Sequence, residues 1–391
     1  MNFWLKIRKS LFFERNIMVL SLTVLFIIIA FFSWYPILPI FLQELGASDF
    51  QIGFSYTLLA LSYALMQFWG GILSDHFGRK LLIILPTFFL PLLYFLAGNS
   101  SNWKLVVFYL VLSQVCSALQ LPSFYSIIAE SVPKNKRGTA YSIFELFVVL
   151  GITLGPLLGM ILIPKISIKY LFYLTSLVTF LCALARVLWL RETYHQRIKI
   201  KKEESRRALF NQHMMIIIIA LSSLIFLFNL TGNGPFISLY VKEVMNLDKA
   251  YINLLFTSGG FAAVIFSLWG GKFIDKWGSK KVLSISALGM GLFIILWSFS
   301  ASLPLNILCF IFFYTFFQSC YIAYGTLMAD ITHQASRGLI IGFIGTATGL
   351  IGSLGPALGG YLKVHFIPAS PFWAGVFFAI LTSILLAKIK K

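Results

Sequence analysis

Charged residues are scarce in this sequence. Only 11% of its 391 residues are Asp, Glu, Lys or Arg, whereas soluble domains carry about 25%. A chain with so few charges cannot cover its whole surface with groups that water solvates well. The composition therefore excludes an ordinary soluble globular protein.

Cysteine and histidine are also few, and neither forms a pattern that indicates chemistry. The four cysteines lie in apolar stretches without metal-ligand spacing, and no pair is placed for an extracellular disulfide. The five histidines lie in loops or at the ends of apolar runs, and no Ser/His/Asp grouping or phosphate-binding loop is present. We therefore expect no enzyme activity, no metal, no other cofactor and no use of ATP.

Long hydrophobic runs are abundant instead. Residues 17–42 form an uncharged run of 26 residues, longer than the roughly 20 residues that cross a hydrocarbon core of about 30 Å. No small-residue cleavage site follows it, so it is a retained span and not a signal peptide. The sequence predicts an all-α membrane protein with twelve spans, near 17–43, 49–72, 80–98, 103–130, 137–163, 168–190, 213–242, 249–271, 281–301, 304–330, 337–363 and 370–388.

The net charge of +18 is distributed unevenly along the chain. Basic residues concentrate on the cytoplasmic side of a membrane protein, and with a cytoplasmic N-terminus this pattern holds for all but six of the 31 Lys and Arg. The excess is thus a topology signal and not a nucleic-acid-binding surface. We expect a monomer in the lipid bilayer of the cell's inner (plasma) membrane, multi-pass, with both termini cytoplasmic. The six exceptions are Lys104, Lys165, Lys169, Lys242, Lys249 and Lys363.

This topology makes a prediction about thiol labelling in a cysteine-free background. Ser48→Cys should react with a membrane-impermeant reagent in intact cells, because residue 48 follows the first span. Lys202→Cys should react only after the membrane is permeabilised, because residue 202 lies in a basic connector. Labelling of Lys202→Cys in intact cells would contradict the predicted topology.

A repeat at an offset of 200 residues divides the chain. The stretch WGGILSDHFGRK at 69–80 returns as WGGKFIDKWGSK at 269–280. The register holds without a gap to residue 359, which predicts two six-span halves of the same orientation. These halves are residues 1–190 and 214–391, and the charged residues 191–213 form a cytoplasmic connector. Further matched pairs are Glu130 with Asp330, Arg137 with Arg337, Gly155 with Gly355, Pro156 with Pro356 and Gly159 with Gly359.

These stretches resemble a known family. Residues 71–80 resemble the signature loop of the major facilitator superfamily, 151–159 resemble the helix-5 signature of its antiporter branch, and 36–48 are similar to the end of helix 1 in its drug–proton antiporter group. The resemblance covers the whole chain. It implies the major facilitator fold and a secondary transporter that exports lipophilic small molecules or drugs by alternating access, coupled to protons. An uptake symporter or uniporter for a small metabolite and a non-transporting receptor remain alternatives.

The signature loop predicts a cytoplasmic gate. A turn between two helices at the membrane surface favours glycine, and Glu130 at the end of span 4 is placed to pair with Arg79. In the family the loop aspartate also faces the start of helix 11, here near 337–338. A turn that merely sets the topology is the alternative, and the second loop is weaker because Ser279 replaces the arginine. The predicted gate residues are Asp75, Gly78, Arg79, Lys80, Glu130, Asp275, Lys280 and Asp330.

The helix-5 pattern predicts close helix packing. A spacing of four residues places Gly151, Gly155 and Gly159 on one face, and Pro156 is expected to bend the span. The resemblance adds a second role, which is to seal the transport path against leaks.

Glu145 is predicted to be the proton-coupling residue. The other acids lie in loops or at span ends, whereas Glu145 lies roughly 12 Å inside span 5 at 1.5 Å per residue. An ionisable group at that depth suggests a function, although a purely structural hydrogen bond to a neighbouring helix is the alternative. The sequence departs from proton-coupled relatives, because 113–129 lacks a cation and 17–43 lacks an acid. Arg186, near the end of span 6, is expected to reach the membrane surface.

The resemblance also implies which spans line the substrate cavity, namely the first, fourth, seventh and tenth. Amides among aromatic rings suit a lipophilic, weakly polar or cationic small molecule. Each residue taken singly is equally well explained by ordinary packing. The candidates are Trp34, Tyr35, Gln114, Gln120, Asn229, Asn233, Tyr314, Gln318 and Tyr321.

Overall fold

The computed structural model describes residues 14–133, 136–193, 212–300, 302–330 and 337–388, without the side chains of 212–214, 268, 329–330 and 337–343. Every regular element in these ranges is a helix. Ten helical segments among them are long and apolar enough to cross a membrane. The predicted fold class, an all-α membrane protein, is confirmed.

One compact unit comprises Met1–Pro36 and Ser62–Arg197. Its core forms where Leu20 and Val24 pack with Ile83, Phe124 and Phe144, all of them buried. The helices that contribute to this unit are α1 (Arg15–Phe32), the second part of α3 (Asp49–Phe77), α4 (Arg79–Asn99), α5 (Trp103–Glu130), α6 (Arg137–Leu162) and α7 (Ile168–Trp189).

The other compact unit comprises Ile37–Leu61 and Ile198–Lys391. Its interior is rich in aromatic side chains, and the buried indole of Trp297 donates a hydrogen bond to Asn306 at 2.9 Å. The predicted halves 1–190 and 214–391 describe the repeat and stay a prediction. The helices of this unit are α2 (Leu38–Glu44), the first part of α3, α8 (Gln212–Leu230), α9 (Phe236–Glu243), α10 (Lys249–Trp277), α11 (Ser279–Ser298), α12 (Leu303–Asp330), α13 (Arg337–Gly352), α14 (Gly355–His365) and α15 (Ser370–Lys388).

Three predicted spans are interrupted near a proline. The predicted span 17–43 consists of α1 and α2, which are separated by a 3₁₀ turn at Tyr35–Ile37. The predicted span 213–242 is split into α8 and α9 next to Pro235. The predicted span 337–363 is split into α13 and α14, just before Pro356. Proline lacks a backbone N–H and clashes with the preceding turn, which favours such breaks. In contrast, α6 continues through Pro156.

The repeated stretch is a one-residue corner between two spans. Gly78 alone separates α3 from α4 with φ of 94°, and Gly278 alone separates α10 from α11 with φ of 82°. Glycine adopts positive φ without the steric cost that a Cβ adds. The sequence at both corners is therefore explained by the backbone turn, which needs glycine at the same place in each copy.

The outer faces of the helices are apolar. More than half of the surface of Phe26, Leu85, Phe108, Leu188 and Phe377 is exposed. In water, such extended apolar surfaces lead to association. In a bilayer they are solvated by lipid, while the helices satisfy their own backbone hydrogen bonds.

Candidate functional site

Glu145 lies on α6 and is bonded to α5. The Tyr125 hydroxyl donates a hydrogen bond to Glu145 Oε1 at 2.8 Å, and the Tyr141 hydroxyl donates to the carbonyl oxygen of Tyr125 at 3.1 Å. Glu145 is half-buried, and none of the ion pairs among the described residues involves it. The carboxyl group can therefore gain or lose a proton without breaking an ion pair in this part of the chain.

Arg186 lies in the interior of its unit, so the expectation that it reaches the membrane surface is wrong. Only 1% of its surface is exposed. Its Nε donates to the Thr23 hydroxyl at 3.0 Å, and its Nη1 donates to Thr87 Oγ1 at 2.7 Å and to Gln120 Oε1 at 2.9 Å. The guanidinium carbon also lies 5.0 Å from the ring centroid of Phe124. These contacts join α7 to α1, α4 and α5.

The groups around Arg186 offset the cost of burying its positive charge. Burying a charge is costly unless it is paired or well hydrogen-bonded, and here the hydrogen-bond partners are neutral oxygens and an aromatic face contributes a cation–π contact. Although 113–129 lacks a cation, Gln120 of α5 binds one supplied by α7. This cation is not visible in the sequence of span 4. The sequence does show it as an arginine inside span 6, four residues before the end of that span.

The signature-loop residues form a cluster of charges. Arg79 Nη1 lies 2.6 Å from Asp75 Oδ1, and Arg79 Nη2 lies 3.6 Å from Glu130 Oε1. The Arg79 side chain is only 4% exposed, whereas that of Asp75 is 73% exposed. Nη1 also donates to the Ser74 hydroxyl at 3.0 Å. The structure thus contains the expected pair of Arg79 and Glu130, while the role of the cluster as a gate stays a prediction.

Glu192 belongs to this cluster, although sequence reasoning treated it as a connector charge. Its carboxylate accepts hydrogen bonds from the backbone N–H groups of Arg79 at 3.3 Å and Lys80 at 2.9 Å. A carboxylate at a helix N-terminus satisfies unpaired donors and interacts favourably with the helix dipole. The sequence indicates only indirectly that a distant group caps α4, because the residue before this helix is Gly78, which has no side chain to accept the first N–H groups.

The second copy of the loop is less well connected in the described part of the chain. Asp275 is exposed, and no ion pair of Asp275 is found among the described residues. The side chains of Asp330 and of 337–338 lie outside the described residues. Lys280 is half-buried at the start of α11.

We predict a difference between the two loop aspartates. Asp75→Asn should slow transport about two- to fivefold, because an ion pair with one partner exposed to water contributes on the order of 1 kcal/mol, and it should leave substrate binding nearly unchanged. Asp275→Asn, the matched control, should have a smaller effect. Initial rates and equilibrium binding in proteoliposomes measure both. Equal rates in the two variants and the wild type would indicate that the loop is only a turn.

The helix-5 glycines pack against α1. A Cβ added at Gly151 would lie 2.7 Å from Ile28 Cγ2, and one added at Gly155 would lie 2.5 Å from Phe32 Cβ. In the other unit, a Cβ at Gly359 would overlap the ring of Phe236. These contacts account for the small residues by packing alone, and sealing of the transport path stays a prediction.

The predicted substrate residues in the first unit have different environments. Trp34 is fully buried, and its indole donates to Thr175 Oγ1 at 2.9 Å. Gln120 is bonded to Arg186. Tyr35 stacks on Phe31 at a centroid distance of 5.0 Å. Tyr35 and Gln114 are half-buried. Trp34 and Gln120 thus support helix packing in this structure.

The predicted substrate residues in the second unit also divide into two groups. Asn229 donates to the carbonyl oxygen of Gly352 at 2.8 Å, and Gln318 donates to the Ser267 hydroxyl at 2.9 Å. Tyr314 packs among aromatic rings. Asn233 and Tyr321 are exposed.

A further charge cluster, missed by sequence reasoning, surrounds Lys363 of α14. Its Nζ lies 2.9 Å from Asp49 Oδ2 and 2.5 Å from Glu243 Oε2, and its side chain is 3% exposed. Gln43 donates to Glu243 Oε1 at 2.6 Å. We call Gln43, Asp49, Glu243 and Lys363 the Lys363 cluster. The signal was a lysine outside the positive-inside pattern, near the end of a span.

A glycine contact lies beside the Lys363 cluster. A Cβ added at Gly53 of α3 would overlap the Pro356 carbonyl oxygen and lie 3.1 Å from Gly360 Cα. The Thr57 hydroxyl accepts a hydrogen bond from the backbone N–H of Ala357 at 2.9 Å. Thr57 thereby satisfies a donor that the break before α14 leaves without an intrahelical partner. The start of α3 is thus held closely against α14.

Comparisons with known proteins agree with this architecture. Residues 20–230 and 219–390 match the family model described as Major Facilitator Superfamily. The chain is 29% identical over 279 residues to "Multidrug resistance protein MdtG" of Proteus mirabilis, covering 67% of each chain. It is 26% identical over 353 residues to "Multi-drug resistance efflux pump PmrA" of Streptococcus pneumoniae, covering 87% of each.

Solved structures show the fold. The chain is similar to the nucleoside transporter NupG (D323A mutant) with a TM-score of 0.79 at 15% identity, covering 96% of this chain and 98% of that one. It is similar to the inward-open xylose transporter XylE from E. coli with a TM-score of 0.75 at 16% identity, covering 96% of each. At this identity the likeness concerns the fold and not the substrate.

Proposed function

The chain belongs to the major facilitator superfamily, and we propose that it is a proton-coupled exporter of lipophilic small molecules that works by alternating access. Two relatives that match most of the chain are named as multidrug resistance and multidrug efflux proteins, which supports export. We place it in the cell's inner (plasma) membrane with both termini cytoplasmic, because of the uneven distribution of basic residues.

The observation that carries the proposal is the pair of Glu145 and Tyr125. As a carboxylate, Glu145 accepts the hydrogen bond of the Tyr125 hydroxyl. When a proton binds, the carboxyl group becomes a donor itself, so the neutral state remains hydrogen-bonded. Glu145 can thus be stable in both protonation states, which a group that carries protons across the membrane requires.

Arg186 is proposed as a positioning residue for this site. Its charge is constant because a guanidinium is not deprotonated in proteins, and its hydrogen bonds hold α1, α4 and α5 to α7. The ring of Phe124, next to Tyr125, lies against its guanidinium. Arg186 therefore fixes the helix that carries the phenol partner of Glu145.

Alternating access needs contacts that break when either side opens. We propose that Arg79 and Glu130 hold Asp75 in place, and that Asp75 keeps the cytoplasmic side closed by facing the start of helix 11, near 337–338, when the site faces outward. The Lys363 cluster is proposed to hold the outer side closed when the site faces inward. The cluster joins Asp49 of the predicted half 1–190 to Glu243 and Lys363 of the predicted half 214–391. Its separation would return all three charges to water and so recover the hydration energy that their burial costs.

The uptake carrier or uniporter is the second candidate. It is favoured by the absence of a cation from 113–129 and of an acid from 17–43, positions that proton-coupled relatives often use. A receptor that binds without transport is a third candidate. Flux against a gradient separates the three.

The test is an accumulation assay in an efflux-deficient host with lipophilic cations and neutral lipophilic compounds. We expect expression to lower accumulation of at least one compound and an uncoupler to restore it. Lowered accumulation that is insensitive to the uncoupler would favour a uniporter. Binding by the purified protein without flux in proteoliposomes would favour a receptor.

A further inference from the structure

A groove runs between α1 and α7 in the first unit. It has a volume of about 750 Å³. Its sides are almost entirely apolar, with Leu22 and Phe26 on α1 and Val178 and Leu181 on α7. Phe26 is 53% exposed and Leu181 is 54% exposed, so the groove opens on the lipid-facing surface. Thr23 is the one lining residue that takes part in the contacts proposed for the transport cycle.

A cation lies at one end of this groove. Arg15 is part of its lining, and its guanidinium donates to the carbonyl oxygens of Trp189 at 2.6 Å and Leu188 at 3.1 Å. Among the described residues, the hydrogen bonds of Arg15 use Nε and Nη2, so within this part of the chain Nη1 keeps two N–H donors for another acceptor. The neighbouring carboxylate of Glu14 caps α1, because it accepts a hydrogen bond from the backbone N–H of Ile17 at 2.9 Å.

The length of the groove matches one leaflet. Arg15 and Phe26 are 11 residues apart on one helix, which is about 16 Å at 1.5 Å per residue. Half of a hydrocarbon core of about 30 Å is about 15 Å. When the guanidinium lies at headgroup level, Phe26 therefore lies near the bilayer midplane.

We propose that this groove binds an anionic phospholipid, with an acyl chain between α1 and α7 and the phosphate at Arg15. The apolar sides fit the chain, and a guanidinium is well suited to a phosphate. Arg191 follows α7 at the same end of the groove, and each basic residue near an anionic leaflet contributes about 1 kcal/mol of attraction. This charge favours an anionic headgroup over a zwitterionic one.

The repeat argues that the cation is specific to this groove. Helix α8, the counterpart of α1 in the other half, contains no lysine or arginine between Gln212 and Leu230. The fold therefore does not require a cation at this place. The groove also contacts Thr23, whose hydroxyl accepts the hydrogen bond of Arg186. A bound chain would thus lie against the helix contacts that hold α5.

The test uses the full chain in nanodiscs with a phosphatidylglycerol that carries a diazirine on one acyl chain. After photolysis, we expect crosslinked peptides from 15–26 and 178–189, and competition by unlabelled phosphatidylglycerol several-fold stronger than by phosphatidylcholine. Arg15→Gln should abolish this preference. Lys272→Gln, a control cation stacked on Trp269 in the other unit, should leave it unchanged.

A second variant tests the groove itself. Ala185→Phe adds a ring at the lining of α7 without removing a hydrogen bond, and it should remove the crosslinks while Arg15 remains. Monodisperse size-exclusion profiles verify folding. Three results would each overturn the proposal. The first is an even spread of crosslinks over the outer helices, and the second is equal competition by both lipids. The third is labelling of the groove by a lipophilic substrate that phosphatidylglycerol does not displace.

Discussion

Glu145→Gln is expected to stop uphill efflux driven by a proton gradient. Glutamine has nearly the same shape and still accepts the Tyr125 hydrogen bond through its carbonyl oxygen, but it cannot carry a proton. Substrate binding should change less than about fivefold, since one neutral hydrogen bond contributes about 1 kcal/mol, and its pH dependence should disappear. Proteoliposomes with an imposed pH gradient measure the flux.

Exchange of substrate at equal concentrations provides the internal control. Exchange needs the conformational change but no net proton movement, so Glu145→Gln should retain it. Glu44→Gln is the matched acid control, because Glu44 pairs with Lys249 at an exposed position, at 2.7 Å. If Glu145→Gln still drove substrate uphill, the glutamate would have only a structural role in joining α5 and α6.

Gly53→Val should reduce transport by about tenfold or more, because overpacking a close contact costs about 1–3 kcal/mol. The new side chain would overlap the carbonyl oxygen of Pro356, a backbone atom that cannot rotate away. The start of α3 would then be held away from α14 and the Lys363 cluster would stay open. Initial transport rates measure the loss.

Gly71→Val is the control on the same helix, because nothing lies within 4 Å of a Cβ at that position. It should transport at nearly the wild-type rate. Thr57 is only 4% exposed, so Thr57→Cys in a cysteine-free background can report on this contact. It should react faster with an impermeant thiol reagent when Gly53→Val is present. Wild-type transport by Gly53→Val would show that this contact does not form during the cycle.

Features that depend on neighbours in sequence were predictable. Apolar runs of sufficient length must become helices in a bilayer, because lipid offers no hydrogen-bond partner to the backbone. The corners at Gly78 and Gly278 follow from the need for positive φ. The pairing of Arg79 with Glu130 was also predictable, because both residues lie at the ends of predicted spans on the same side of the membrane.

Partners of buried polar groups were not predictable in the same way. Arg186 binds Thr23, Thr87 and Gln120, and these residues are separated from it by 163, 99 and 66 positions. Its place near the end of a span suggested exposure, whereas the rotation of α7 directs it inward. The periodicity of α7 did carry a signal, because Thr175, Thr179 and Arg186 lie at i, i+4 and i+11 on one face, and that face is buried.

Span length, the repeat and the glycine corners follow from the chain itself, because each is set by bilayer thickness or by one residue's backbone freedom. The Lys363 cluster, the cap of α4 by Glu192 and the burial of Arg186 depend on which helix faces meet. In a soluble protein, polar faces would have revealed those orientations. In a membrane protein both lipid and neighbouring helices accept apolar side chains, so helix orientation is decided by close packing of small residues such as Gly53 and Gly155.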